Sequence, residues 1–378
     1  MEIQELNQLL QFNVDTFSNM PLDPKNILLI KSHSMGIGDL LRSSAAWLAL
    51  KEQWPEAKLH LLMLSKHAGY PSEELIRSHY LLASATFITV KAGHPGLSGQ
   101  KNLAISTIFS AIETRLKTQE IYLIIDCEPF GIKTSLVARR IGRLKKALTV
   151  GIAQFPLRKY FYDLSAPALK EYIKSNHLEL PLDYTERDFV ALAALGVARK
   201  GRKIIMQVTR EGLDWQKKYA SQKPANNQKI VTLNIGCGTA DALNRRPPMP
   251  ILVACMASFY KKSPFTLWLS GADFEREINV DFADAMRASL KESDLTGEIL
   301  DWSGQCSLSQ LTGLLSSSDL VISTDSGPYH MAVALGVPTL CWFNIETPAA
   351  LHRQKNVTNL VLPAPAEFAE AAHDLIHA

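Results

Sequence analysis

The sequence has no paired cysteines, no long hydrophobic run and no strong charge of either sign. Its five cysteines (Cys127, Cys237, Cys255, Cys306 and Cys341) are scattered, with no CxxC pair. That excludes a disulfide framework or a cysteine zinc site and suits a reducing compartment. No stretch approaches the roughly 20 apolar residues that a membrane span requires. The opening "MEIQELNQLL" holds two acids and no base, unlike a secretory signal. Forty Lys and Arg stand against 37 Asp and Glu, a net charge of +3. So weak a balance gives no ground for nucleic acid as a partner, and an anionic ligand has to be argued from local clusters. A cytoplasmic protein is expected, soluble or peripheral on the inner face of the membrane.

What is present is a globular composition. Of 378 residues, 47% are hydrophobic and 20% charged, enough chain for two domains. Short runs rich in Ile, Leu and Val recur along it. "NILLIK" (26–31), "KLHLLML" (58–64), "ATFITV" (85–90), "YLIIDC" (122–127) and "ALTVGI" (147–152) occupy the first half. "KIVTLNIG" (229–236), "FTLWLSG" (265–271), "EILDW" (298–302), "LVIST" (320–324), "PTLCWF" (338–343) and "NLVLP" (359–363) occupy the second. Strands apolar on both faces and alternating with helical patterns indicate parallel α/β sheets. The basic, glycine-punctuated stretch at 196–203 is the expected linker. It separates a domain over 1–195 from one over 204–365, with a closing helix over 366–378 that would cross back to the first domain. Residues 1–20 read as a polar helix.

Two polar corners follow strands. In "IKSHSMGIGDLLRSS", Gly36 and Gly38 allow a tight turn and Asp39 opens a helix. A dinucleotide fingerprint would need a third glycine where Leu41 stands, and a phosphate loop would need Gly-Lys-Ser/Thr. Asp39 reads either as a helix cap or as a carboxylate placed to take a proton from a hydroxyl. Helix-terminus amides would favour its charged form and weaken it as a base. His33 and Ser34 read as local hydrogen-bonding residues of the same turn.

The second corner is "STDSGPYHMAVALG". The strand ends at Asp325, Gly327 frees the turn, and Pro328 suits the first turn of a helix. The unpaired amides from Ser326 onward offer a phosphate site, with His330 in the first turn. Upstream, "NIGCGTADALNRRPPMP" delivers Arg245 and Arg246, which read as phosphate ligands or as solvated charges. "SGADFERE" and "SGQCSLSQL" close two further strands with acids and with small residues. "RRIGRLKK" (139–146), with five cations and no acid, and Lys133 upstream of it, read as an anion-binding surface or as a solvated helix face.

Together, "GIGDLLRSSAAWLALKE", "NIGCG…RRPP", "LSGADFE" and "VISTDSGPYHMAVALGVPTLCWF" resemble glycosyltransferase family 9, the bacterial heptosyltransferases of lipopolysaccharide synthesis. The similarity runs from about residue 26 to 345. It implies a GT-B fold, two Rossmann-like doubly wound domains facing across a cleft. It also implies an ADP-heptose donor, a lipopolysaccharide inner-core acceptor, inversion at the anomeric carbon, and no metal or other cofactor. By that resemblance Asp39 is the general base and Arg245 and Arg246 meet the donor phosphates. Glu275 holds the ribose, Cys306 borders the adenine, and Asp325 touches the sugar. Ser326, Gly327 and His330 surround the diphosphate, while Lys133, Arg139 and Arg140 face the acceptor. The chain departs from the family at Pro247, where a tryptophan is common, and at Ser326, where threonine is commoner. An iron-binding branch with clustered cysteines is argued against by the scattered ones here. A UDP-hexose transferase, a non-catalytic nucleotide-sugar binder and a nicotinamide oxidoreductase are the alternatives. The missing third glycine weakens the last.

Overall fold

A computed structural model describes residues 23–33, 36–66, 69–92, 101–220, 224, 228–236, 244–290, 298–344, 348 and 351–378. The expected N-terminal helix, Ser34, Cys237 and the stretch 237–243 lie outside the described residues. The chain forms two compact domains, one of residues 1–179 and 185–202, the other of residues 180–184 and 203–378. The change of domain at Arg202 falls inside the stretch read as a linker.

In the first domain β1 (Asn26–His33), β2 (Lys58–Ser65) and β3 (Ser84–Thr89) are followed by a two-stranded ribbon, β4 (Lys91–Ala92) with β5 (Lys101–Asn102). Then come β6 (Leu123–Asp126), β7 (Leu148–Ile152) and β8 (Leu164–Ala166). The main sheet has the order β3-β2-β1-β6-β7-β8, every pairing parallel. The second domain contains β9 (Lys229–Asn234), β10 (Phe265–Ser270), β11 (Ile299–Asp301), β12 (Leu320–Thr324), β13 (Thr339–Phe343) and β14 (Val357–Val361). Its order, β11-β10-β9-β12-β13-β14, is again parallel throughout.

Each order is that of the Rossmann fold. The direction of winding reverses between β1 and β6 in one sheet and between β9 and β12 in the other. At such a reversal the loops leaving the two central strands diverge to opposite faces and leave a crevice at their carboxyl ends. The positions of the two polar corners are thus set by topology, because one follows β1 and the other follows β12.

Strand burial explains why alternation is absent from the sequence. Residues 59–65 of β2 are buried, as are 230–234 of β9 and all of β10, β12 and β13, since helices cover both faces. The closing helix (Pro365–His377) packs into the second domain. Phe368, Ala369, Ala372, Leu375 and Ile376 enter the core of the second domain with Phe259, Phe265 and Trp342, which uses up its apolar face.

The short excursion 180–184 is also anchored in the second domain. Tyr184 donates its amide to the Leu351 carbonyl at 2.9 Å and stacks on His330 with ring centroids 5.3 Å apart. Asp183 accepts the Arg353 amide at 2.7 Å. The chain then returns with Thr185–Arg202 to finish the first domain.

Candidate functional site

The first domain's corner begins on β1. Lys31, which follows the apolar run Ile27–Ile30 of that strand, is 1% exposed and donates to both oxygens of Asp188 at 2.8 and 3.0 Å. Asp188 lies in the helix Glu186–Leu192 and also accepts from Ser43 Oγ at 2.7 Å and, at 3.4 Å, from Arg42 Nε. Burial opposes its charge, but Lys31 and Arg42 outweigh that and hold the Asp188 carboxyl below its ordinary value. Arg42 in turn donates from Nη1 to Asp39 Oδ1 at 2.9 Å.

Gly36, in an extended conformation, caps the short helix Ile37–Leu41, and Asp39 is its third residue. The capping role open to Asp39 is therefore filled elsewhere. Its carboxylate is oriented from behind by Arg42, and 43% of its side chain remains exposed. Lys31, Arg42 and Asp188 are site-supporting residues that sequence reasoning missed. Only the charge inside "NILLIK" gave a signal.

Across the reversal, β6 ends at Asp126, and Glu128 Oε1 accepts the Ser32 amide at 3.1 Å, tying the two central strands together. Lys133 stands in the first turn of the helix Ile132–Lys145, at this carboxyl edge, and donates to Asn102 at 3.1 Å. Arg139 and Arg140 do not join it. The helix runs back along the sheet at about 1.5 Å per residue, so they sit roughly 10 Å further along it. Arg139 bonds the Tyr160 carbonyl, and Arg140 pairs with Glu113 at 2.8 Å. Lys133 thus stands near the β1–β6 corner, and these two lie on the outer flank.

The second domain gathers most of the expected donor residues. Asn234, the last residue of β9, donates to the Ser270 carbonyl at 3.1 Å and accepts from Ser326 Oγ at 3.1 Å. Thr324 Oγ1 donates to the Gly236 carbonyl at 2.9 Å. These bonds lock the ends of β9, β10 and β12 into one platform. From it rises the helix Gly327–Leu335, with Ser326 as N-cap, Pro328 in its first turn and Gly336 (φ 79°) ending it. Ser326 makes no side-chain capping bond, so its hydroxyl does not consume the first-turn amides.

Arg245 Nη1 donates to the Asp325 carbonyl at 2.9 Å and lies 3.6 Å from Asp325 Oδ2. Burial raises the pKa of Asp325, with Arg245 opposing. His330 Nε2 stands 3.9 Å from Asp325 Oδ1, and its Nδ1 is 2.9 Å from His352 Nε2. The imidazole is thus held at the helix start from both sides.

Glu275 is buried. Oε2 accepts the Ala272 amide at 2.8 Å, and Oε1 is 3.5 Å from Arg246 Nη2. Gly236 makes room for it, since a Cβ there would land on the Glu275 carboxylate. Arg246 is therefore bound to Glu275, while Arg245 is the arginine beside the helix start.

Cys306 lies beyond β11, where burial pushes its thiol up to about 11. The loop before it is fixed by Asp301, which accepts from Ser303 N and Oγ at 2.9 and 2.6 Å, and by Asn279, which donates to Ser303 Oγ at 2.6 Å. Among the described residues no group of three or more His, Cys, Asp or Glu is placed to hold a metal ion, and no helix is long and apolar enough to cross a membrane.

Two parallel Rossmann domains with polar groups at both reversals define a protein of the GT-B class. The resemblance to glycosyltransferase family 9 is borne out: residues 266–369 match the model of glycosyltransferase family 9 (heptosyltransferase). Over 58 residues the chain is 40% identical to the lipopolysaccharide core heptosyltransferase OpsX of Haemophilus influenzae; the match takes in 15% of this chain and 17% of that protein. Among solved structures it is similar to a glycosyl transferase family 9 protein of Veillonella parvula, with a TM-score of 0.68 and 15% identity, over 95% of this chain and 99% of that one. It is also similar to the Escherichia coli ADP-heptose lipopolysaccharide heptosyltransferase II (TM-score 0.62, 14% identity, 93% and 98% covered). The E. coli heptosyltransferase WaaC with ADP-2-deoxy-2-fluoro heptose is a third (TM-score 0.61, 16% identity, 93% and 99% covered). At these identities the likeness is one of fold.

Proposed function

We propose that the protein is an inverting glycosyltransferase that moves heptose from ADP-heptose to a lipopolysaccharide inner-core acceptor. The observation that carries this reading is the Arg245–Asp325 contact beside the first turn of the helix Gly327–Leu335, at the β9–β12 reversal. There helix amides and a guanidinium converge on the position a diphosphate would take.

In this reaction Asp39 accepts the proton of the acceptor hydroxyl as that oxygen bonds to the anomeric carbon. The bond from that carbon to the β-phosphate oxygen breaks on the opposite face, and ADP leaves with the electron pair. Growing charge on the diphosphate is met by the Gly327–Leu335 amides, Arg245 and His330, in the role that a metal fills in other transferases. Ser326 and Gly327 line the diphosphate, Asp325 bonds a sugar hydroxyl, Glu275 the ribose, and Cys306 borders the base. Lys133 meets an anionic group of the acceptor. The enzyme works on the cytoplasmic side of the inner membrane.

Asp39→Ala tests the reading. Turnover should fall by about 10²–10⁴-fold, the usual worth of a general base, while ADP affinity measured by calorimetry stays near that of the native protein. A variant keeping most of its turnover would remove Asp39 from the mechanism. Thermal stabilisation by UDP-hexoses but not by ADP-heptose would replace the donor. Tight ADP-heptose binding without transfer to any core acceptor would mean a binding protein.

A further inference from the structure

The first domain carries a surface feature that, Lys133 apart, the sugar chemistry does not use. From Pro129 to Tyr162 the chain has no acid and eight cations: Lys133, Arg139, Arg140, Arg143, Lys145, Lys146, Arg158 and Lys159. Within this stretch, two loops at the carboxyl edge of the sheet expose large apolar side chains. Phe130, 62% exposed, lies on the loop after β6 and Ile132, 64% exposed, opens the helix that follows it; Phe155 and Leu157, the latter 74% exposed, lie on the loop after β7.

The loops form one surface. The Phe130 and Phe155 rings lie 6.1 Å apart. Buried Arg158 bonds the Glu128, Pro129 and Gly131 carbonyls, clamping one loop to the other. Asp126 neutralises Arg158 from below at 3.1 Å. The clamp is held by several bonds, and the apolar side chains on it are still exposed to solvent. Exposed groups of this size cost solubility unless something covers them.

The rim says what would. Lys159 lies over the Tyr160 ring at 5.2 Å, and Arg139 bonds the Tyr160 carbonyl. Burial lowers the Arg139 pKa, Arg143 beside it adds to that, and Asp163 opposes. Apolar tips with Lys133 and Lys159 beside them in the chain match an interface that is anionic at its surface and hydrocarbon beneath.

We propose that the loops 128–132 and 155–160 dock on an anionic phospholipid bilayer, with Phe130, Ile132, Phe155 and Leu157 entering the acyl boundary. The inference does not depend on the identity of the sugar donor.

The test is co-sedimentation of the full chain with vesicles of phosphatidylethanolamine and phosphatidylglycerol, against vesicles of phosphatidylcholine alone. The native protein should sediment with the anionic vesicles and much less with the neutral ones, and high salt should weaken the association. Phe130→Ser with Leu157→Ser should weaken it by at least about tenfold, and Lys159→Glu by about fivefold or more. Melting temperatures and ADP binding of these variants should match the native protein, so a wrong donor assignment would show separately. Failure of the native chain to sediment, equal sedimentation of the double variant, or preference for duplex DNA over anionic vesicles would each overturn the proposal.

Discussion

Arg42 Nη1 and Asp39 Oδ1 stand 2.9 Å apart, and Arg42 is itself held by the buried Asp188. The carboxylate proposed as base is thus aimed by an arginine whose direction is set one layer deeper. Arg42→Leu removes this support without touching the second domain. Turnover should fall by about 10²-fold, the scale on which small misplacements of a reacting group are felt. ADP affinity should stay unchanged. Loss of ADP binding, or unchanged turnover, would mean that Arg42 does not position Asp39.

The fold was legible because buried parallel strands leave continuous apolar runs. Eleven of them were visible, and all became strands of the two main sheets. β8 was missed because Leu164–Ala166 is three residues at a sheet edge, too short to leave a run. The helix start after β12 was legible from Gly327, Pro328 and His330, which all fall in its first turn or next to it. Asp188 was illegible, since nothing in "ERDFVAL" says that its acid lies on Lys31, 157 residues away. That Arg139 and Arg140 lie further down their helix than Lys133 was not legible, because a cluster of cations in sequence does not reveal how far down a helix it sits.

The two buried aspartates of the first domain should respond oppositely to pH. Asp188 is held below its ordinary pKa, so it contributes stability above about pH 4 that is lost as pH falls. Burial raises Asp126 to about 6 despite Arg158 and Tyr162. The folded state then holds the extra proton between about pH 4 and 6, and this contribution declines as pH rises through that window. The stability gap between the native protein and Asp188→Asn should shrink on acidification, while that for Asp126→Asn should grow. Urea denaturation from above pH 6 to below pH 4 covers both windows, and parallel trends would contradict the assignment. At neutral pH Asp188→Asn should cost about 3–5 kcal/mol, because Lys31 loses its buried counter-charge.

The helices Arg210–Lys218 and Leu308–Ser316 meet backbone to backbone through Gly212 and Gly313. A Cβ on Gly313 would run into the Gly212 carbonyl, and one on Gly212 would stand 2.8 Å from the Gly313 amide nitrogen. Backbone cannot swing aside as a side chain does. Gly313→Ala should therefore cost about 1–3 kcal/mol or more by overpacking, although alanine is intrinsically the better helix residue. A thermal melt equal to or above that of the native protein would show that the helices can separate without loss.

Gly236→Ala links the sheet reversal to nucleotide binding. The new methyl group would occupy the place of the Glu275 carboxylate, which is held by the Ala272 amide and Arg246. Glu275 is buried and cannot simply rotate into water, so either it breaks both contacts or the β9 end shifts. The first outcome disturbs the proposed ribose ligand, and the second moves the Gly236 carbonyl off Thr324, adjacent to Asp325. Either way ADP affinity should drop by about tenfold or more, the worth of one charged hydrogen bond. Glu275→Gln separates the two routes. It keeps the shape and removes the charge, so it should weaken ADP binding while leaving the melting temperature nearly unchanged. If Gly236→Ala binds ADP as the native protein does, calorimetry would place the ribose away from Glu275.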